Sequence, residues 1–334
     1  KVRVWDRNNI ASSWSHTQRF TTGLFEPADW KQARWIGAKN AAAAARVVPF
    51  VHGKMKEEDP RIIKNTAAPL LRKSFLISKK LRSALLFISG VGHYEASING
   101  IKIGNAFLAP GWTQYDKTVL YNTHDVAEHI AQGGNVIGVL LGDGFYRVSQ
   151  ERYVKGTGAF GTPKMIARLK LVYEDGSEEY IVSDASWKTN ASPIVFNNIY
   201  GGENFYAKLG AKKKNTKAYK EERWETGVLT SLPRGKLLPE TDYPVTFMDT
   251  LRVKEIKVIN NNSVLYDFGQ NVSGVPLIKI KGKPGQTIKL IPSELVFEDG
   301  KVNQADGVTP HFYQYTVGSN EEERFEVNGH SNYD

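Results

Sequence analysis

The 334-residue chain contains no cysteine and only three methionines. Without cysteine there are no disulfides, no thiolate metal sites and no cysteine nucleophile. No apolar run approaches the roughly 20 residues of a membrane-spanning helix, so membrane insertion is not expected. No secretory leader is recognisable. Lys1 is not an initiator residue, so the chain reads as processed or truncated. Histidine is scarce, and the seven present show no H-E-x-x-H spacing. His124 and His129 stand five apart, wrong for one helix face, so a zinc site is not expected. No Walker A motif occurs.

Aromatic residues are abundant: 7 Trp, 15 Tyr and 15 Phe. Short apolar runs alternate with Gly- and Asn-rich segments, which favours β structure over helix bundles. The formal charge is +9, but the excess is scattered apart from Lys212-Lys213-Lys214. Such a run reads as a solvated loop, and nucleic acid is not expected as a partner.

The segment Ser97–Val126 is the most informative. Asn99-Gly100 is a strong hairpin signal, because both central residues of a type I′ turn need positive φ. A Pro110-Gly111-Trp112 loop follows, and Asp125 is placed to open a short helix that Gly133-Gly134 would stop. Strands are expected at Leu71–Ile77, Ala84–Ser89 and Val136–Leu141, with a hairpin about Asp175-Gly176 joining Ile166–Tyr173 to Glu179–Ser183. Further strands are expected at Val264–Phe268, Leu277–Lys281 and Ile288–Ile291.

Catalytic patterns are weak. Gly156, Gly158 and Gly161 match G-x-G-x-x-G, but Pro163 follows and the next element reads as a strand, so a glycine loop is preferred to a phosphate cradle. Gly329-His330-Ser331 lacks the second glycine of a nucleophile elbow, since Tyr333 stands there. Glu95, Asp143, Glu203 and Glu294 are chemically able to serve glycoside hydrolysis, yet spacing alone cannot set two carboxylates across a bond. No residue is assigned as catalytic.

Sugar binding needs an aromatic face and a few convergent polar groups on loops of a rigid sandwich. Asn197, Asn198, Glu203 and Asn204, around Tyr200-Gly201-Gly202, supply those ingredients, and calcium can join such a set through oxygen ligands. Trp112 is the remaining carbohydrate-binding candidate. For Trp112 the favoured expectation is burial within the sandwich, as for most large aromatics. The Asn197–Asn204 segment reads equally as a loop with a structural Tyr and Glu.

The string Leu108-Ala109-Pro110-Gly111-Trp112-Thr113 with Tyr115, then Tyr121, Thr123 and Asp125-Val126, resembles the N-terminal sandwich of bacterial α-L-rhamnosidases. Asn135-Val136-Ile137-Gly138, Leu141-Gly142, Gly144-Phe145-Tyr146 and Ile199-Tyr200 with Gly202-Glu203 continue the pattern. Tyr266-Asp267-Phe268-Gly269-Gln270-Asn271 and Ser293-Glu294-Leu295 resemble the next β-domain, and Val4-Trp5-Asp6 with Trp35-Ile36-Gly37 resembles the end of a fibronectin-like leader.

The resemblance implies an all-β chain of tandem β-sandwiches. Residues 1–36 would be the end of a fibronectin type III-like domain, 37–68 a linker and 69–235 a jelly-roll or galactose-binding-like sandwich. Residues 236–334 would be a second, concanavalin-like sandwich. It implies an inverting glycosidase acting on terminal α-L-rhamnose in glycans, whose catalytic (α/α)6 barrel follows these domains in the parent chain. The chain itself would be the non-catalytic N-terminal region, needing no cofactor. A stand-alone carbohydrate-binding module, calcium-dependent or not, is the alternative. A bacterial periplasmic or secreted location accords with both. Phe145 replaces the family's usual Trp, and Ala207-Lys208 replaces an acidic-arginine pattern, which weakens transfer of a calcium-assisted rhamnose site.

Overall fold

The computed structural model describes residues 1–18, 20–39, 47–51, 66–149, 151–152, 156–210, 215–219, 224–304 and 310–327. The poly-alanine run 41–45, the lysine run 212–214 and the Gly329–Tyr333 segment lie outside these. The chain divides into two units, Lys1–Lys31 and Gln32–Asp334.

The first unit is a small hairpin. Ser12 and Ser15 donate backbone N–H groups to Val4 and Val2, and Trp5 bridges Ala11. The Arg3 guanidinium lies over both Trp5 and Trp14, 5.0 and 4.9 Å from the ring centroids.

The second unit is nearly all β, in agreement with the sequence reading. Two sheets face each other around its main core. In one, Lys164–Tyr173 and Leu81–Val91 form the centre, flanked by Ile36–Gly37 and Thr118–Asp125. In the other, Pro69–Ile77, Gly133–Gly142 and His93–Ile98 run side by side. The strands Gly133–Gly142 and Lys164–Tyr173 bury six and eight of their ten residues, on both faces of the sheet, with Lys164 and Arg168 among the buried ones. Leu71, Leu86, Ile98, Val139, Leu169 and Trp187 meet between the sheets. Fully burying side chains of this size stabilises by roughly 1.5–3 kcal/mol each.

Asn99 (φ 55°) and Gly100 (φ 87°) make the expected turn, pairing Ile98 with Ile101. The hairpin about Asp175-Gly176 also forms, with Leu169, Leu171 and Tyr173 buried on one side.

Several expectations are corrected. Asp125 opens no true helix: its carboxylate accepts from Ala127 N–H (3.2 Å), and a single 3-10 turn, Ala127–His129, follows. Gly133-Gly134 starts a strand instead of ending a helix. Gly156 and Gly158 lie in strand Gly156–Ala159, paired to Val47–Val51 and Arg147–Val148, so this part of the glycine motif is a strand where a loop was expected. The span read as a linker contributes both Ile36–Gly37 at its edge and Val47–Val51.

The boundary read near residue 235 is crossed twice. Lys236–Pro239 adds in parallel to Thr118–Asp125. The hairpin Ile194–Asn198/Gly202–Tyr206 belongs to neither main sheet. It joins Tyr313–Thr316 in parallel, and Thr287–Leu290 completes that four-stranded sheet. Phe205, Tyr315 and Phe325 form a second core there, with Phe205 and Tyr315 stacked at 5.6 Å and 9°. Leu277–Lys281 pairs with Glu322–Glu326, and Ile278 and Ile280 join Ile288 and Leu290 in this core.

Candidate binding site

The hairpin that carries Asn197–Asn204 lines one wall of a cavity of about 380 Å³. Strand His93–Ile98 supplies the opposite wall, and Leu140–Gly142 lie between them. Val245–Phe247, Ser273–Val275 and His311 with Tyr313 close it from the downstream half of the chain. Phe107 N–H donates to Val245 O (2.7 Å), and the Phe107 and Phe247 rings lie 4.9 Å apart, which seats the 245–247 segment against the first sandwich.

Of the five candidates, Asn197, Asn198 and Glu203 line this cavity. Their side chains have different tasks. Asn198 is committed to its own turn. Its Oδ1 accepts from Tyr200 N–H (2.8 Å) and Gly201 N–H (3.0 Å), and its Nδ2 donates to Ser149 O and Oγ. Asn197 Oδ1 accepts from Asp143 N–H at 2.7 Å. Asn204 stands outside the lining and accepts from the Arg152 guanidinium. That guanidinium is itself sandwiched by Phe196 and Phe312, at 4.0 and 3.6 Å. Glu203 is 3% exposed.

Trp112 contradicts the expectation of burial. It is 67% exposed and stands apart from the cavity lining. The indole packs on Phe145 (4.6 Å, 31°), and Phe145 meets Tyr200 edge-on at 5.8 Å. The three rings form a ridge. The Pro-Gly turn and its neighbours hold it: Tyr115 is the buried aromatic of this loop, packed edge-on to Tyr146 and Phe160.

Burial sets the protonation of the cavity's neighbours. Desolvation lowers His93 to about 4, against the opposing pull of the Leu108 and Pro110 carbonyls, so its imidazole is neutral at neutral pH. Desolvation raises Asp143 to about 7, although Arg147 lies 3.4 Å away and pulls it down. Burial, and then the charge of Glu203, push Tyr313 up to about 12. Of the other carboxylates considered from sequence, Glu95 faces the cavity with Lys102 3.6 Å away, and Glu294 is exposed on a loop.

Sequence reasoning did not single out His93, His311 or Tyr313. One signal was available: His93 and Glu95 are two apart on an otherwise apolar strand, which puts both on one face. His311 is placed by a contact of its Nδ1 with Tyr200 O (2.6 Å), 111 residues away, which no local pattern announces.

Comparison with known proteins agrees with this architecture. The profile of the α-L-rhamnosidase N-terminal domain matches residues 79–249. That of the bacterial α-L-rhamnosidase concanavalin-like domain matches residues 257–331. An α-L-rhamnosidase of Formosa agariphila is 32% identical over 308 residues, 90% of this chain and 32% of its own length. The structure of an α-L-rhamnosidase from Dictyoglumus thermophilum superposes with a TM-score of 0.81 at 34% identity, covering 97% of this chain and 35% of that one. That of the Streptomyces avermitilis α-L-rhamnosidase complexed with L-rhamnose gives 0.74 at 27% identity, covering 79% and 26%. The chain thus spans about a quarter to a third of the length of these relatives. With both domain profiles matched in order on an all-β fold that superposes on such enzymes, the chain belongs to the α-L-rhamnosidase family and represents its N-terminal region.

Proposed function

We propose that this region is the non-catalytic front of an α-L-rhamnosidase, bracing a catalytic domain that lies elsewhere in the parent chain and removes terminal α-L-rhamnose from glycans. The observation that carries this reading is an uncovered apolar face. The hairpin Glu255–Asn260/Ser263–Asp267 pairs Ile256 with Tyr266 and Val258 with Val264, which puts the four on one face. They are 60%, 53%, 76% and 44% exposed. Phe268, Val272, Leu295, Val296 and Phe297 are exposed as well. Soluble proteins rarely leave such a surface open, so a further layer of protein over it is the natural complement. The (α/α)6 barrel expected from the family is that layer in this reading.

The test compares this region with its parent. The region alone should release no rhamnose from an aryl α-L-rhamnoside above a buffer blank, while the parent should. Amide exchange across 255–268 should be slower in the parent. Turnover by the isolated region, or equal exchange in the two, would sink the reading.

A second role is supported by the ridge of Trp112, Phe145 and Tyr200, a rigid aromatic surface suited to the C–H face of a pyranose. Rhamnose-containing glycans should quench Trp112 fluorescence, and Trp112→Ala should abolish the change. No cofactor enters this reading. The side-chain oxygens of Asn197, Asn198 and Asn204 all accept from N–H donors, which does not match the six to eight oxygens calcium takes. A periplasmic or secreted location accords with glycan substrates and would be checked by cell fractionation.

A further inference from the structure

We propose that the cavity between the first sandwich and the downstream segments is a binding site for a neutral, monosaccharide-sized polyol, and that it rejects anionic sugars. This goes beyond the bracing role and concerns a different surface from the Trp112 ridge.

The volume of about 380 Å³ lies near the lower end of the roughly 300–1,000 Å³ typical of small-molecule sites. The lining has two kinds of wall. Leu140, Ile194, Val275 and Phe247 offer apolar surface, while the polar groups converge from His93, Glu95, Asn197, Glu203, His311 and Tyr313. That is the mixture a pyranose needs, with an apolar face on one side and a ring of hydroxyls on the other.

The charge of the lining decides the ligand class. The chain as a whole carries +9, yet no lysine or arginine occurs among the described residues of the cavity wall. Two carboxylates do, and the only other groups able to carry positive charge there are imidazoles. His93 stays neutral at neutral pH. A wall of this composition accepts hydrogen bonds from hydroxyls. It disfavours a uronate or a sulfated sugar, whose charge would be desolvated beside Glu203, while the nearby Lys102 ammonium is already paired with Glu95 at 3.6 Å. The net basic charge of the chain would suggest the reverse preference, so the two are separable by experiment.

Titration calorimetry of this region with L-rhamnose and with D-glucuronate makes the test; the choice of a deoxyhexose probe rests on the rhamnosidase reading, and the charge selection does not. L-Rhamnose should give saturable heat at millimolar concentrations, and D-glucuronate none. Glu203→Gln should weaken L-rhamnose about tenfold or more, the usual scale for losing a charged acceptor. Tyr313→Phe, which removes only a hydroxyl, should weaken it several-fold and decides the matter if Glu203→Gln fails to fold by circular dichroism. Gly134→Ala, which lies outside the cavity lining with open space at its Cβ, should leave this heat unchanged. Absence of heat from L-rhamnose, equal binding of D-glucuronate, loss of the heat in Gly134→Ala, or full affinity in the folded cavity variants would overturn the proposal. Such a failure leaves rhamnoside turnover by the parent untouched. A parent without that turnover would overturn the functional reading while the charge selection stood.

Discussion

Glu240 and Gly111 are joined across 129 residues. Glu240 Oε1 accepts from Gly111 N–H at 2.7 Å, and Oε2 accepts from Asn122 Nδ2 at 2.5 Å. Asn122 in turn accepts from the Tyr94 hydroxyl at 2.9 Å. One carboxylate, at the end of the strand Lys236–Pro239, therefore ties the loop that presents Trp112 to the sandwich beneath it.

Removing this carboxylate leaves a half-buried N–H and an amide without their acceptor. Glu240→Ala should cost about 1–3 kcal/mol in urea denaturation, the usual penalty for such groups. Glu240→Gln should recover part of it, because an amide oxygen still accepts one of the two bonds. Equal stability of wild type and Glu240→Ala would show that the tie contributes nothing.

Gly202 begins the strand that carries Glu203 and Asn204. Its φ is +91°, and a Cβ there would sit 2.1 Å from Phe312 O. Both the backbone conformation and the space exclude a side chain. Gly202→Ala should destabilise by about 2 kcal/mol or more in the same assay, because strain and a backbone clash act together. Gly134, with nothing within 4 Å, is the control and should change little on substitution by alanine.

Two buried groups should shape the acid limb of stability in opposite senses. His93 has a folded pKa near 4, below its ordinary 6.5, so the unfolded chain takes up a proton first. Its contribution is present above about pH 6.5 and is lost as pH falls toward 4. Asp143 is raised to about 7 from 3.8, so its contribution is present below about pH 4 and is lost as pH rises toward 7. Each window spans roughly 2–3 pH units, on the order of 3–4 kcal/mol at 1.36 kcal/mol per unit. Relative to wild type, His93→Gln should lose less stability between pH 7 and 4, and Asp143→Asn should lose more. Guanidinium melts at a series of pH values would read both, and parallel shifts of the two variants would contradict the assignment.

Calcium is expected to leave the protein unchanged. The melting temperature should be the same within about 1 °C in millimolar calcium and in chelator, since binding to the folded state alone would raise it by mass action. A calcium-dependent rise would mean that oxygens other than those of Asn197, Asn198 and Asn204 form a site.

The local elements were the most legible part of the chain. Asn99-Gly100 and Asp175-Gly176 announced their hairpins, because positive φ is a property of the turn residues themselves. The strands expected at Val136–Leu141 and Ile166–Tyr173 form, each extended at its start to Gly133 and Lys164. Asp125 misled, since a favourable cap cannot make a helix where the next residues join the Gly133–Gly142 strand within one turn. Trp112 misled for a related reason: aromatics in general are buried, but here Tyr115, three residues on, takes the interior place and leaves the indole outside. Within the candidate segment, the residue types were readable and their division of labour was not. Asn198 holds the Tyr200-Gly201 turn, Asn204 meets Arg152, and Asn197 accepts from Asp143 N–H, three tasks that no local pattern announces.

By itself the sequence determined the β character of the chain, its tight turns and the collinear motifs that tie it to the α-L-rhamnosidases. These depend on neighbours a few residues apart, where alternation and turn chemistry act directly. The tertiary structure alone decided that the Asn197–Asn204 hairpin pairs with Tyr313–Thr316, that His311 meets Tyr200, and that Glu240 holds Gly111. Strands present similar edges to many partners, so the choice among partners more than a hundred residues away is made by which side chains pack together, here Phe205, Tyr315 and Phe325.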